Sequence, residues 1–213
     1  MIALTFDDGP GPSTLSILDV LRRHGILATF FVLGRNVAEP PWTTLPEGGR
    51  DIVRDVLRDG HIVGNHTYSH ARSSEISEPA LRREINVTDD IINHLRAELG
   101  FAPIVPPLRL PFGIIQDDTR LVVIGAMGRT HVHWSCNFRD WREGPQPALV
   151  PRILEYVTER ENAGLDSVLD LHDGGIGGVA GFARDATVDA AERLALEASR
   201  RGWRFFQAPL AHH

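Results

Sequence analysis

A chain of 213 residues that is 42% hydrophobic and 23% charged can build one sizeable core, which excludes global disorder and leaves little room for two ordinary domains. The formal net charge of −6, without any basic run, argues against nucleic acid or an anionic membrane surface as a partner. Every one of the 22 basic residues is Arg and the single cysteine is Cys136, so a catalytic lysine, a P-loop lysine and an intrachain disulfide are excluded.

In chain order, "IALTF" reads as a short buried strand, followed by a helix in "STLSILDVLRRHG" with Ser13 or Thr14 as N-cap and Gly25 past its end. "ATFFVLG" is a second strand. Residues 36–50, "NVAEPPWTTLPEGGR", are rich in Pro and Gly and read as a surface loop. "GRDIVRDVLRDG" is a helix with Ile52, Val53, Val56 and Leu57 on one face and Gly60 as its stop; "HIVGN" is the third strand. Residues 78–99 carry the longest helical pattern. "PPLRLPFG" is an extended segment pinned by prolines, a helix follows near "DTRLVVIGAMG", and "THVHWS" reads as a strand. The helix "LVPRILEYVTERENAG" leads to the strand "SVLDLH", and a last helix near 185–201 leads to the strand "WRFFQA". No segment is long and apolar enough to span a membrane. Only "MIAL" precedes Thr5, so no leader is expected in the chain, and the terminal His212 and His213 resemble a tag remnant.

About seven strand–helix alternations without an internal repeat or linker predict a parallel α/β fold and one domain over residues 1–213. A closed or nearly closed TIM-like (β/α) barrel fits better than an open doubly wound sheet, because polar residues recur at strand ends and one barrel mouth gathers them.

Five stretches carry the chemistry. In "TFDDGP", Asp7 and Asp8 repel each other unless a cation or a shared proton offsets the charge. Neighbouring strand side chains point to opposite faces, so the Gly9-Pro10 turn is expected to bring both into one site; a turn with acidic caps is the bland alternative. In "HTYSH", His66 and His70 are four apart, which in a helical turn puts both imidazoles on one face. Two His and a carboxylate leave positions open for water and substrate, as a catalytic divalent metal requires. His172, in "LHDGG", sits at a strand end as a general-acid candidate. Arg109, in "RLPFG", can clamp a carboxylate in fork geometry. Asp140-Trp141 pairs an acidic residue with an indole on which a pyranose can stack.

The order TFDDGP, HTYSH, RLPFG, DW and LHD resembles the polysaccharide deacetylase family (NodB homology domain, carbohydrate esterase family 4), from Thr5 to about Gln207. The resemblance implies a distorted (β/α) barrel and a metal-dependent hydrolase that removes N-acetyl groups from chitooligosaccharide or peptidoglycan. It implies Asp8, His66 and His70 as metal ligands, Asp7 as the base that activates water, and His172 as the acid that protonates the leaving amine. Arg109 would hold the base, Asp140 would orient the acid, and the Thr67 hydroxyl would steady the metal loop. The backbone N–H near Phe112 would polarise the substrate carbonyl, and Trp141 would line the groove. One divalent ion is implied, with Zn favoured over Co, Ni or Mn. The implied partner is a carbohydrate, with no nucleic acid, no membrane and a monomeric chain. Such polymers lie outside cells, which leans the compartment towards secretion or a bacterial cell envelope.

Two positions depart from that pattern. Asp170 stands where the family has the Leu that lines the acetyl pocket, and Asn137 stands where the family often has Asp. Asp170 is expected to act as an extra anionic partner for His172 or to rebuild the acyl pocket; alternatively, the strand is locally shifted and Asp170 faces an Arg. The same fold also accommodates O-deacetylation of a xylan-type polysaccharide, hydrolysis of a non-sugar amide, and a non-catalytic carbohydrate-binding relative.

Overall fold

The computed structural model describes residues 1–38, 48–142, 149–175 and 184–208. The elements are β1 (Ile2–Gly9), α1 (Thr14–His24), β2 (Thr29–Val32), α2 (Gly34–Ala38), α3 (Gly48–Arg58), β3 (Ile62–Asn65), α4 (Glu78–Glu98), α5 (Arg120–Ala126), β4 (Cys136–Asn137), α6 (Leu149–Asn162), β5 (Ser167–His172) and α7 (Asp185–Arg201). The five strands form a parallel sheet in the order β3-β2-β1-β5-β4. Parallel single bridges from Asn65 to Leu108 and from Leu108 to His131 continue the ring from β3. The segment that starts at His131 runs on into β4, which pairs with β5, so the neighbours close into a distorted barrel.

Of about seven expected strands, four form where they were expected, and the fifth strand among the described residues, β4, lies just past one of the expected ones. "THVHWS" is not a strand: its single bridge is at His131, and the ladder forms later, at Cys136–Asn137. The 130–137 segment meets Leu108 at one end, through Val132 N–H, and β5 at the other, through Ser135 N–H, so bonds on its two sides never face each other. "WRFFQA" makes a single bridge, Phe205 to Ile2. It wedges in below the first β1–β2 pair, Thr5 with Thr29. Of the expected loop at 36–50, residues 36–38 complete α2 and 48–50 open α3; residues 39–47 lie outside the described residues, as do His212 and His213. Among the described residues no helix is long and apolar enough to cross a membrane.

Strand alternation sorts the side chains. Leu4, Phe6, Phe30, Val32, Leu169 and Leu171 pack outward with Ile17, Leu18 and Leu21 of α1 and with Leu194 of α7 in one buried cluster, and the Phe6 and Phe30 rings stack at 5.0 Å. Gly25, at φ 62, ends α1 by capping the carbonyls of Leu21 and Arg22. Thr5, Asp7, Asp170 and His172 fall on the other parity of β1 and β5, and face inward. The hydrophobic core thus lies between sheet and helices, and the barrel interior is left for polar residues. At its centre is Arg109, fully buried, stacked 4.1 Å from the Phe31 ring and 5.4 Å from Trp134.

Candidate active site

The paired acids reach one site through a bulge inside β1 rather than through the Gly9-Pro10 turn. Asp7 pairs with Phe31 and Gly9 with Val32. Asp8 is therefore an extra residue, in the left-handed region at φ 68, and the bulge re-aims its side chain towards the face that Asp7 already uses. Gly9 then passes against Asp173, where an added Cβ would lie 2.3 Å from a carboxylate oxygen. That carboxylate is held by the Thr14 hydroxyl at 2.6 Å and cannot give way. Gly9→Ala is expected to destabilise the fold by about 1–3 kcal/mol through overpacking, read as a lower midpoint of urea unfolding.

His66 and His70 are not on a helix. The loop after β3 is irregular, with Thr67 at φ 66 and His70 at φ 61, and these two left-handed residues fold both imidazoles inward. α4 pins the loop. Asn65 Nδ2 donates to the Ile85 carbonyl at 2.8 Å and to Asp89 at 2.7 Å, while Asn65 Oδ1 accepts the Thr67 N–H at 2.7 Å. Glu84 accepts the N–H groups of Tyr68 and Ser69 and the Ser69 hydroxyl. The Thr67 hydroxyl makes no hydrogen bond, so its backbone, rather than the expected hydroxyl, is what the loop uses. Asn65 and Glu84 were missed in the sequence. A carboxylate or amide facing the loop from a distant helix leaves no local signal.

Asp8, His66 and His70 converge, with one ligand atom from each lying within 4.8 Å of the others. Asp8 Oδ1 is 3.2 Å from His70 Nε2 and 3.5 Å from His66 Nε2, yet this buried oxygen has no hydrogen-bond partner. His66 Nδ1 lies 2.8 Å from the Arg109 carbonyl. A carbonyl only accepts, so Nδ1 carries a proton, and Nε2 is the nitrogen turned towards Asp8. Burial lowers the His70 pKa to about 4 despite the opposing Asp8 charge, which keeps its ring neutral. An orphaned carboxylate oxygen and two imidazoles whose Nε2 atoms face it are a donor set that fits one divalent cation.

Arg109 sits beside Asp7, with NH1 donating to Asp7 Oδ1 at 2.8 Å and to Thr5 Oγ1 at 2.7 Å, and Nε donating to the Val132 carbonyl. The contact uses one guanidinium nitrogen, not the expected fork. Burial would raise the Asp7 pKa, but the charges of Arg109, His66 and His172 outweigh it and hold Asp7 below the usual carboxylate range. At the end of β5, His172 Nδ1 donates to Asp140 Oδ1 at 2.8 Å, and the His172 backbone N–H donates to Asp140 Oδ2 at 2.8 Å. Thr187 donates to the same Oδ2 at 2.7 Å. Burial opposes charge on His172, but the Asp140 carboxylate overrides it and raises the pKa to about 10. Asp140 in turn is held low by His172 against its own burial.

The β1–β5 register runs unbroken from Ile2–Ser167 to Asp7–His172, so the strand around Asp170 is not shifted. Asp170 faces inward, 3.5 Å from Arg109 NH1 and 2.5 Å from Asn137 Nδ2. Burial and the neighbouring Asp7 charge push its pKa well up, against His172 and Arg109. Asp170 is also one of the charges that raise the His172 pKa, after Asp140. Asp173, missed in the sequence, is fully enclosed beneath Gly9, and burial raises its carboxyl to about 7.

A cavity of about 440 Å³ joins these groups. Phe112, at φ 63 and 46% exposed, stands at its mouth with its ring edge-on to His70 at 4.5 Å. Trp141, 43% exposed, stands there too, its carbonyl held by Arg184. A wider hollow of about 770 Å³, lined by Ile26, Leu27, Trp203 and Phe205, opens at the other end of the barrel, away from these groups.

The sequence profile of the family described as polysaccharide deacetylase matches residues 1–130, more than half of the chain. The chain belongs to the polysaccharide deacetylase family. A chitooligosaccharide deacetylase of Bradyrhizobium sp. (strain ANU 289) is 36% identical over 99% of this deacetylase-family chain and 90% of its own length. A peptidoglycan-N-acetylglucosamine deacetylase of Bacillus cereus is 32% identical over 98% of the chain and 66% of its own. The structure of the peptidoglycan deacetylase PdaC from Bacillus subtilis superposes with a TM-score of 0.73 at 29% identity, covering 98% of this chain and 87% of that one.

Proposed function

We propose that this chain is a metal-dependent hydrolase that removes N-acetyl or a related acyl group from an amino-sugar oligomer or polymer of the chitooligosaccharide or peptidoglycan class. The observation that carries the reading is a pair of groups with opposed protonation on one cavity: Asp7 held ionised beside Arg109, and His172 held as imidazolium by Asp140. Two titratable groups driven apart in this way are what acid–base hydrolysis at neutral pH requires.

Asp8, His66 and His70 would hold the divalent ion, Zn by preference and Co, Ni or Mn with the same donor set. When bound, that ion supplies a Lewis acid beside Asp7. Asp7 takes a proton from the attacking water, and Arg109 keeps its carboxylate aimed and charged. His172 gives its Nε2 proton to the departing nitrogen, and Asp140 holds the ring in the tautomer that can do so. Phe112 and Trp141 offer rings to the sugar at the mouth, and the backbone N–H near Phe112 would polarise the acyl oxygen. The whole of residues 1–213 would act as one domain, as a monomer on a carbohydrate, with neither nucleic acid nor membrane as partner.

The test is acetate release from chitooligosaccharides and peptidoglycan fragments by metal-stripped and Zn-loaded protein. Loading is expected to raise the thermal midpoint and to switch on release, and His66→Ala to remove both effects. An unchanged thermal midpoint and no release from any amino sugar would overturn the reading.

A further inference from the structure

The cavity has a mouth and a floor of different chemistry. At the mouth are the exposed rings of Phe112 and Trp141. At the floor is Asp170, only 1% exposed and lining the same cavity. Exposed aromatic rings suit the apolar face of a pyranose, so the sugar takes the mouth. With the reacting carbon between Asp7 and His172, the remainder of the acyl group points inward. The register pairs Thr5 with Asp170 and Asp7 with His172. Asp170 therefore lies one inward-facing layer below the reacting groups, ~7 Å along the strand, a gap that a two-carbon acyl group and one hydrogen bond span.

We infer that Asp170 sets acyl specificity, and that the preferred leaving group is a hydroxyacyl, with hydroxyacetyl (glycolyl) the smallest member, rather than plain acetyl. This rests on the deacylase reading above. One Asp170 oxygen is anchored by Asn137 Nδ2 at 2.5 Å, while the other meets Arg109 NH1 only at 3.5 Å, the outer limit of a hydrogen bond. That second oxygen has hydrogen-bonding capacity left, and Asp170 lines the cavity that the acyl tail enters. A methyl group pressed against it would bury a polar oxygen without a partner, whereas a hydroxyl on the acyl carbon would satisfy it. In the reaction the amide C–N bond breaks. Water supplies OH to the acyl carbon and a proton to nitrogen, giving glycolate and the free amine.

The experiment compares N-glycolyl, N-acetyl and N-propionyl forms of one chitooligosaccharide on Zn-loaded wild type, Asp170→Leu and Asp170→Asn. Binding of glycolate and acetate to the three proteins is measured alongside by calorimetry. Wild type is expected to prefer glycolyl over acetyl by about tenfold or more in kcat/KM and to bind glycolate more tightly, as a site built around a substrate hydroxyl does. Asp170→Leu is expected to reverse the order towards acetyl, and Asp170→Asn, which retains hydrogen-bonding atoms, to keep part of the glycolyl preference. Wild type that favours acetyl, or equal losses on every acyl group in both variants, overturns the acyl assignment and leaves the deacylase reading standing. No release of any acyl group by wild type overturns both. If Asp170→Leu does not fold, the wild-type preference and Asp170→Asn still decide.

Discussion

Asp7→Asn is expected to lower kcat by about 10²–10⁴-fold, the contribution of a positioned general base, while the Kd for Zn changes by no more than about threefold if Asp7 lies outside the donor set. The side chain keeps its shape, and its amide oxygen can still accept from Arg109 NH1, which now lies 2.8 Å from Asp7 Oδ1. What is lost is the ability to take a proton. The donor atoms of Asp8, His66 and His70 are untouched. Measuring turnover and Zn affinity on the same preparation separates the two roles. Turnover within tenfold of wild type would remove Asp7 as the base, and a large loss of Zn affinity would make it a ligand.

Asp140→Asn is the second large effect, expected at about 10²–10⁴-fold in kcat, because it removes the acid without touching the base. The anion that holds His172 as imidazolium disappears. The amide oxygen would turn to the His172 N–H and the Thr187 hydroxyl, which Asp140 Oδ2 now serves, and the amide NH₂ would face the ring. His172 would then be neutral with its proton on Nε2. In wild type its pKa is raised from 6.5 to about 10. A raised pKa contributes stability that is fully present below pH 6.5 and is lost as pH rises through about 10. Burial is the largest influence left in the variant, and it lowers the value. The alkaline limb of kcat is therefore expected to move from near pH 10 to below 6.5, and the alkaline loss of stability to vanish with it. A limb that stays in place in Asp140→Asn would assign it to another group.

Much of the barrel was legible because local rules governed it. The apolar stripe of α1 and its stop at Gly25, the long pattern of α4 and the run "SVLDLH" form where they were expected. In each, one face is buried and a terminator lies next to it in the chain. The strands that failed, "THVHWS" and "WRFFQA", make a single bridge each; composition cannot report how many ladder bonds a segment finds. The motif residues were legible as types in order. Asp7, Asp8, His66, His70, Arg109, Asp140 and His172 are separated by up to 165 positions, yet all lie in or against one cavity.

The sequence by itself determined the α/β alternation, the family resemblance and the set of titratable groups, because these depend on residue type and spacing. Only the tertiary structure decided how those groups are aimed and charged. It put the bulge at Asp8 where a turn was expected, an irregular loop under His66 and His70 where a helical turn was expected, and Asp170 on an unshifted strand between Arg109 and Asn137. The physical reason is the same in each case. Side-chain direction at a bulge or a left-handed residue is set by the neighbouring strand and helix, and protonation in a buried site is set by every charge around it, most of them distant in sequence.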